Sequence, residues 1–357
     1  SSDVCSSDLT KRKNMNNIKK IGLSALAGSL AMVSANAVDY TMSGGMLVTY
    51  TTQDNPGGAE ANSGKGIGSA TDLGFTASGE LDNGYTVKYF MSVDTDNALT
   101  NTSAQLTVGM GSLGTLQFNN EFGSKANGID DITPNAYNET WDGLALDADN
   151  GSFFGSNTHS GSIDYRIPAV ELMGLTVNAS MTYDPNATQG TVTKGGVTST
   201  NQGSGSAYTA QIAHESGLEI GAGYEDVDDT QGLTNAGSTS TATGYAKYSA
   251  GGLTIAYQES YQNTKNVSGT EGADKESNAF GIAYTSGDLT ISYAESEVDT
   301  KAVSDTVALA TAQLESLQAA YTMGAMTVSA AMSETNNSGG ITARKYEENT
   351  LAVSFAF

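Results

Sequence analysis

The 357-residue chain carries 39 Asp and Glu against 16 Lys and Arg, for a formal charge of −23, and a single cysteine, Cys5. An acidic surface of this kind excludes nucleic acid as a partner, because its phosphates would be repelled, and makes cations the natural company. One cysteine excludes a disulfide framework.

Residues 1–14 fit no part of a targeting sequence and read as a spurious upstream extension. Residues 15–37 have the plan of a Sec signal peptide: Lys19-Lys20, an apolar run over 21–33, then Ala35 and Ala37 at the −3 and −1 positions of an A-x-A site. The apolar run is shorter than the about 20 residues that a membrane-spanning helix needs. The mature chain is expected to begin near Val38. It then has no cysteine, which removes thiolate chemistry, and eleven basic residues against 37 acidic ones.

From residue 39 onward the chain alternates apolar with small polar residues, the period-two signature of strands with two unlike faces. "GGLTIAYQES" (251–260) returns thirty-six residues later as "GDLTISYAES" (287–296), and the same glycine turn and strand recur at 82–94, 173–184 and 216–226 and more loosely at 323–334. Each copy follows another alternating segment across a very short turn and runs into a longer stretch of Gly, Ser, Thr, Asn and Asp, as in "NATQGTVTKGGVTSTNQGSG" (186–205). The unit is therefore a hairpin with tight turns at one end and long loops at the other. Sixteen strands are predicted, starting near residues 39, 69, 84, 104, 114, 160, 175, 206, 218, 242, 253, 277, 289, 312, 326 and 346. With both ends of the chain on the tight-turn side, "DYTMSGGMLVTY" can pair with "NTLAVSFAF", and a closed sheet leaves no edge in lipid.

A soluble β-sandwich or solenoid alternates too, but places its charge opposite a shared apolar core. Here the second face is mostly Thr, Ser, Gly and Asn, which suits a water-filled lumen. Tyr50, Tyr183, Tyr224, Tyr257 and Tyr293 fall near strand ends, where an interfacial aromatic girdle sits. The reading is all-β: a 16-stranded antiparallel transmembrane β-barrel over residues 38–357, with short periplasmic turns and long extracellular loops.

The ending "LAVSFAF", with Phe355 and the terminal Phe357, resembles the C-terminal signature of Gram-negative outer-membrane barrels. Together with the leader, the strand count, an outsized loop after the fifth strand and the flanking segments "GSLGTLQFNNEFG" (111–123) and "SIDYRIP" (162–168), it resembles the general porins of alphaproteobacteria of the Rhodobacter type. The resemblance implies a passive, water-filled homotrimeric channel for small hydrophilic solutes. It also implies contact with outer-membrane lipid and recognition of the C-terminal Phe by the barrel-assembly machinery.

Residues 123–159 alternate little and are long enough to be a functional loop. In a porin this third loop folds into the barrel and narrows it. It holds Asp130, Asp131, Glu139, Asp142, Asp147 and Asp149, with Lys125 as its basic counterweight. Carboxylates beside a narrow passage attract cations and repel anions. Parity turns Lys88, Asp164, Arg166 and Lys247 toward the lumen as pore-wall residues, with Arg166 equally able to pair with Asp164 or to hold the loop base. The family pattern sets basic residues opposite the loop acids. This chain has only Arg166 and Arg344 as arginines in its mature part, which excludes a dense arginine cluster and favours cations.

Enzyme chemistry is not expected: His159 and His214 have no nucleophile elbow or similar context. No cofactor is expected. "DADNGS" (147–152, with Asp147 and Asp149) and "EDVDD" (225–229) are acid-rich enough for a loop calcium ion but match no EF-hand loop. The expected function is passive, cation-preferring diffusion. The alternatives are a substrate-specific channel with Tyr137 and Trp141 as a binding track, and a plugged structural or adhesive barrel.

Overall fold

The computed structural model describes residues 38–54, 63–94, 100–121, 123–142, 151–155, 161–185, 204–228, 237–266, 273–301 and 309–357. The expected leader and upstream extension lie outside these residues. The strands are β1 (Asp39–Asp54), β2 (Gly64–Glu80), β3 (Thr86–Asp94), β4 (Thr100–Gly109), β5 (Thr115–Glu121), β6 (Ile163–Arg166), β7 (Val170–Leu172), β8 (Leu175–Asp184) and β9 (Ser204–His214). They continue with β10 (Leu218–Asp228), β11 (Gly237–Ala250), β12 (Leu253–Asn266), β13 (Asp274–Ser286), β14 (Leu289–Lys301), β15 (Ala312–Met323), β16 (Met326–Asn336) and β17 (Lys345–Ala356).

All neighbours are antiparallel, and β1 pairs with both β2 and β17, so the sheet is closed. Gly44 N–H donates to the Phe357 carbonyl at 2.8 Å and Phe357 N–H to the Gly44 carbonyl at 2.9 Å, which zips the seam to the last residue. Seventeen segments make sixteen staves, because β6 and β7 both pair with β8 and share one position in the wall. The break between them contains Pro168, which has no N–H to give to the ladder. One end of the barrel carries connections of two to five residues, and the start of β1 and the end of β17 lie there with them. The other end carries connections of five residues or more, the longest between β5 and β6.

Burial is inverted relative to a soluble protein. Tyr50, Tyr183, Tyr224, Tyr257, Ile291, Leu317 and Leu351 are among the exposed large apolar residues, whereas Gln117, Thr182, Thr243, Gln258, Ser292 and Gln318 are buried. Outward apolar groups are stable only against lipid, and inward polar ones only if paired or wet. The top of the apolar band is sharp. Register sets Glu295, Glu315, Glu334 and Glu347 side by side across β14 to β17, on the same outward face as Tyr293, Leu317 and Met332 below them. Lys345 bridges Glu334 and Glu347 at 2.9 Å each. A charge at mid-bilayer would cost about 2–4 kcal/mol for a cationic side chain and less for a carboxylate, falling to about 0–1 near the interface. The carboxylate row therefore marks the outer boundary of the membrane.

Candidate functional site

The third loop, described at 123–142 and 151–155, lies inside the barrel. Its base is held by Gly123, whose carbonyl accepts from Gln117 Nε2 at 2.6 Å and from Arg166 Nη2 at 3.4 Å. A 3-10 turn, Asn127–Ile129, then delivers the chain to the inner wall. Gln258 on β12 donates through Nε2 to the carbonyls of Ile129 (3.0 Å) and Asp130 (3.1 Å), and accepts through Oε1 from Ile132 N–H (2.9 Å). Over β13 the chain crosses Gly281, where an added Cβ would stand 2.8 Å from Pro134 Cδ. Ser292 on β14 accepts from Ala136 N–H at 2.8 Å. Gln318 on β15 accepts from Tyr137 N–H (2.8 Å) and Asn138 N–H (3.2 Å) and donates to the Asn138 carbonyl (2.6 Å).

The return limb is fixed by Ser277, which donates to the Gly151 carbonyl at 2.7 Å, and by buried Glu225, which accepts from Gly155 N–H at 3.2 Å and from Thr241 Oγ1 at 2.9 Å. Two apolar knots back these bonds. Trp141 and Phe153 pack on Val298, Ala312 and Leu314, while Ala126, Ile129 and Phe154 pack on Ala207 and Tyr245. Gly223 is required under Phe154, whose ring occupies the place a Cβ would take.

Four of the six predicted loop acids fall among the described residues, and they come together. Asp131 accepts from Thr133 N–H and Oγ1, both at 2.7 Å, an Asx turn. Asp131 N–H caps Asp130 Oδ1 at 2.9 Å, and Glu139 N–H caps Asp142 Oδ2 at 3.2 Å. Burial is the largest influence on all four carboxyls and raises them all. Asp131 rises to about 6 by burial, held back by Thr133 and pushed further by Asp130 and Asp142. Glu139 rises to about 7 by burial and by the charges of Asp131, Asp130 and Asp142. Burial, then Glu348 and Asp142, raise Tyr137. Asp147, Asp149 and His159 lie outside the described residues.

By register the four pore-wall candidates lie on the inward face, and their contacts differ. Lys88 faces inward and is exposed to the lumen beside Ser78 and Thr107. Asp164 is inward but fully buried, accepting from Arg166 Nε at 2.6 Å and Thr182 Oγ1 at 2.8 Å, so it braces the loop base and does not line the passage. Arg166 is the partner of Asp164 and a support of Gly123. Lys247 is inward but pairs with Glu219 at 3.3 Å. Trp141 is buried behind the loop, while Tyr137, its companion in the alternative binding track, is half-buried. Of "EDVDD", Glu225 to Asp228 end β10, where period two turns Glu225 inward and Asp226 outward, and Asp229 lies outside the described residues. His214 Nδ1 is bonded to Ser216 Oγ at 2.8 Å in a tight turn. Phe355 and Phe357 are exposed on the outer face at the seam.

Sequence reasoning missed three inward-facing acids of the wall. The loop's contacts reach β9 to β15 and, through Tyr346, β17; register turns Glu348 inward beside them and Asp72 and Asp94 inward on β2 and β3. Counting parity along β2, β3 and β17 would have found all three. Asp72 and Lys88 are exposed, so solvent reaches the lumen beside the loop. Gln258 and Gln318 gave no signal of their own, being two polar residues among many on the inward face.

A closed barrel with exposed apolar residues outside, polar residues inside and a long loop strapped to its inner wall is a pore with a constriction. A family model for Gram-negative porin matches residues 22–339. The chain belongs to the Gram-negative porin family. It is a passive outer-membrane channel, not an enzyme. Among solved structures it is similar to an anion-selective porin from Comamonas acidovorans, at 13% identity and a TM-score of 0.66 over 90% of this chain and 100% of that one. The trimer form of OmpT from Vibrio cholerae gives 13% and 0.59, covering 91% and 100%. A Rh. blastica porin mutant gives 14% and 0.54, covering 89% and 100%. No curated protein sequence matches the chain.

Proposed function

We propose that this porin is a cation-preferring diffusion channel for small hydrophilic solutes, with the third loop as its selectivity element. The observation that carries the reading is the lumen's charge. Asp130, Asp131, Glu139 and Asp142 cluster on the loop, and the inward-facing Glu348, Asp72 and Asp94 add to them, against Lys88 and, over the Phe153 ring, Lys275. Arg166 and Lys247, the other predicted basic residues of the wall, are each neutralised by a carboxylate. Acids on both sides of a passage produce no transverse field. They lower the energy of a cation and raise that of an anion throughout. The Comamonas acidovorans neighbour is anion-selective, so the barrel alone does not decide the sign of the preference. A homotrimeric assembly, as in the trimer form of OmpT, is part of the proposal.

The test is liposome swelling with the purified protein, using an uncharged, a cationic and an anionic solute of equal size. The cationic solute should enter fastest and the anionic one slowest. Equal rates for the charged pair, with all three entering, would remove the preference and leave the channel.

A further inference from the structure

We propose that Gln258 and Gln318 are the positioning residues that set the aperture, holding the loop edge between them as a taut, immobile segment. The inference rests on the porin reading and deepens it. Both side chains are 3% exposed and used alike. Each carboxamide acts as a surrogate peptide group, with Oε1 accepting from loop N–H groups and Nε2 donating to loop carbonyls. Each is also tied to a wall hydroxyl: Gln258 Nε2 donates to Thr243 Oγ1 at 2.8 Å and Gln318 Nε2 to Ser316 Oγ at 2.9 Å. Neither amide can turn over without losing bonds at both ends, because donor and acceptor are not interchangeable.

The span between them has little slack. Gln258 and Gln318 stand on β12 and β15, three interstrand spacings (about 14–15 Å) apart across the sheet and, because Gln258 is in register with Leu314, four residues (about 13 Å) apart along it, so their backbones lie about 19–20 Å apart on the wall. The chain from Ile132 to Tyr137 and the two glutamine side chains together bridge this gap, and a five-residue advance reaches at most about 17–18 Å when fully extended. The middle is pressed against Gly281 and bonded to Ser292. A nearly extended segment held at both ends cannot bow into the lumen. The acids beside its two ends, Asp131 and Glu139, are therefore presented from a fixed line. Loss of either glutamine releases one end and lets the edge swing.

Three preparations test this: Gln258→Leu, Gln318→Leu, and a tether made by Ala136→Cys with Ser292→Cys in a background without Cys5. Folding is confirmed first by heat-modifiable migration. In planar bilayers each leucine variant should show noisier open-channel current and an upward shift in the largest neutral solute that passes. The oxidised tether should leave conductance and noise as in the untethered protein. Hydrogen exchange in detergent supplies a readout that needs no conduction. The Ile132 amide should lose protection in Gln258→Leu, and the Tyr137 and Asn138 amides in Gln318→Leu, with the remote strands unchanged. Unchanged noise, size limit and local protection in folded leucine variants would overturn the proposal. So would a tether that alters conductance, since a segment already fixed has nothing to lose. Should the leucine variants not fold, the tether decides. A parent protein that never conducts would refute the channel reading and leave the exchange result to judge the glutamines.

Discussion

Lowering the pH from 8 to 5 should strip much of the cation preference while the barrel stays folded. Burial and like charges raise Asp131 to about 6 and Glu139 to about 7. A raised carboxyl is neutral below its pKa and charged above it, so preference grows with pH through this window. At pH 5 about one in ten Asp131 side chains and about one in a hundred Glu139 side chains remain ionised, against nearly all at pH 8. Nearly two charges are lost. For an ion passing about 7 Å away in water each is worth about 0.6 kcal/mol, roughly halved by screening in 0.1 M salt. Cation and anion feel opposite signs, so the difference for two charges is about 1.2 kcal/mol, or about an eightfold fall in the cation-to-anion permeability ratio. The assay is that ratio, measured in planar bilayers at half-unit pH steps. A ratio that stays flat from pH 8 to 5, or falls only near pH 4, would show that the loop acids are not buried as described.

Three further outcomes follow from packing. Gly223→Ala puts a methyl group where the Phe154 ring sits. It should cost about 1–3 kcal/mol by overpacking, lowering the melting temperature and raising current noise through the loosened return limb. Asp164→Ala strands Arg166 Nε and Thr182 Oγ1 beneath the loop base. It should destabilise by about 1–3 kcal/mol, read as a lower unfolding midpoint in denaturant. Glu315→Gln relieves the repulsion of Glu295 and Glu334 directly opposite. It should stabilise by about 0.2–1 kcal/mol, an advantage in melting temperature that shrinks with added salt.

The barrel was legible because period two, glycine turns and loop length are local signals. The strand starts at Leu218, Leu253, Leu289 and Met326 match the predicted tight-turn ends to within a residue. The far ends did not fare as well. β2 begins at Gly64 and β13 at Asp274, earlier than predicted, because their upper halves run through small polar and charged residues that read as loop. The gap that splits β6 from β7 follows from Pro168, whose consequence depends on the neighbouring strand. At the site, loop length and acid content could be read directly, and parity gave the direction of Lys88, Asp164, Arg166 and Lys247. Their pairing could not be read, because Asp164 meets Thr182 and Lys247 meets Glu219 only across strands. The burial of Trp141 was hidden for the same reason, since its partners Val298 and Leu314 lie more than 150 residues away.

The central claim is that the loop acids, without a basic wall opposite, make this porin prefer cations. Its most direct test is the zero-current potential at pH 8 under a tenfold KCl gradient. The wild type is compared with a variant carrying Asp130→Asn, Asp131→Asn, Glu139→Gln and Asp142→Asn. The account predicts a wild-type potential displaced toward the potassium limit and a clear retreat toward zero in the variant. A wild-type potential at zero or on the chloride side, or an unmoved potential in the variant, would contradict it.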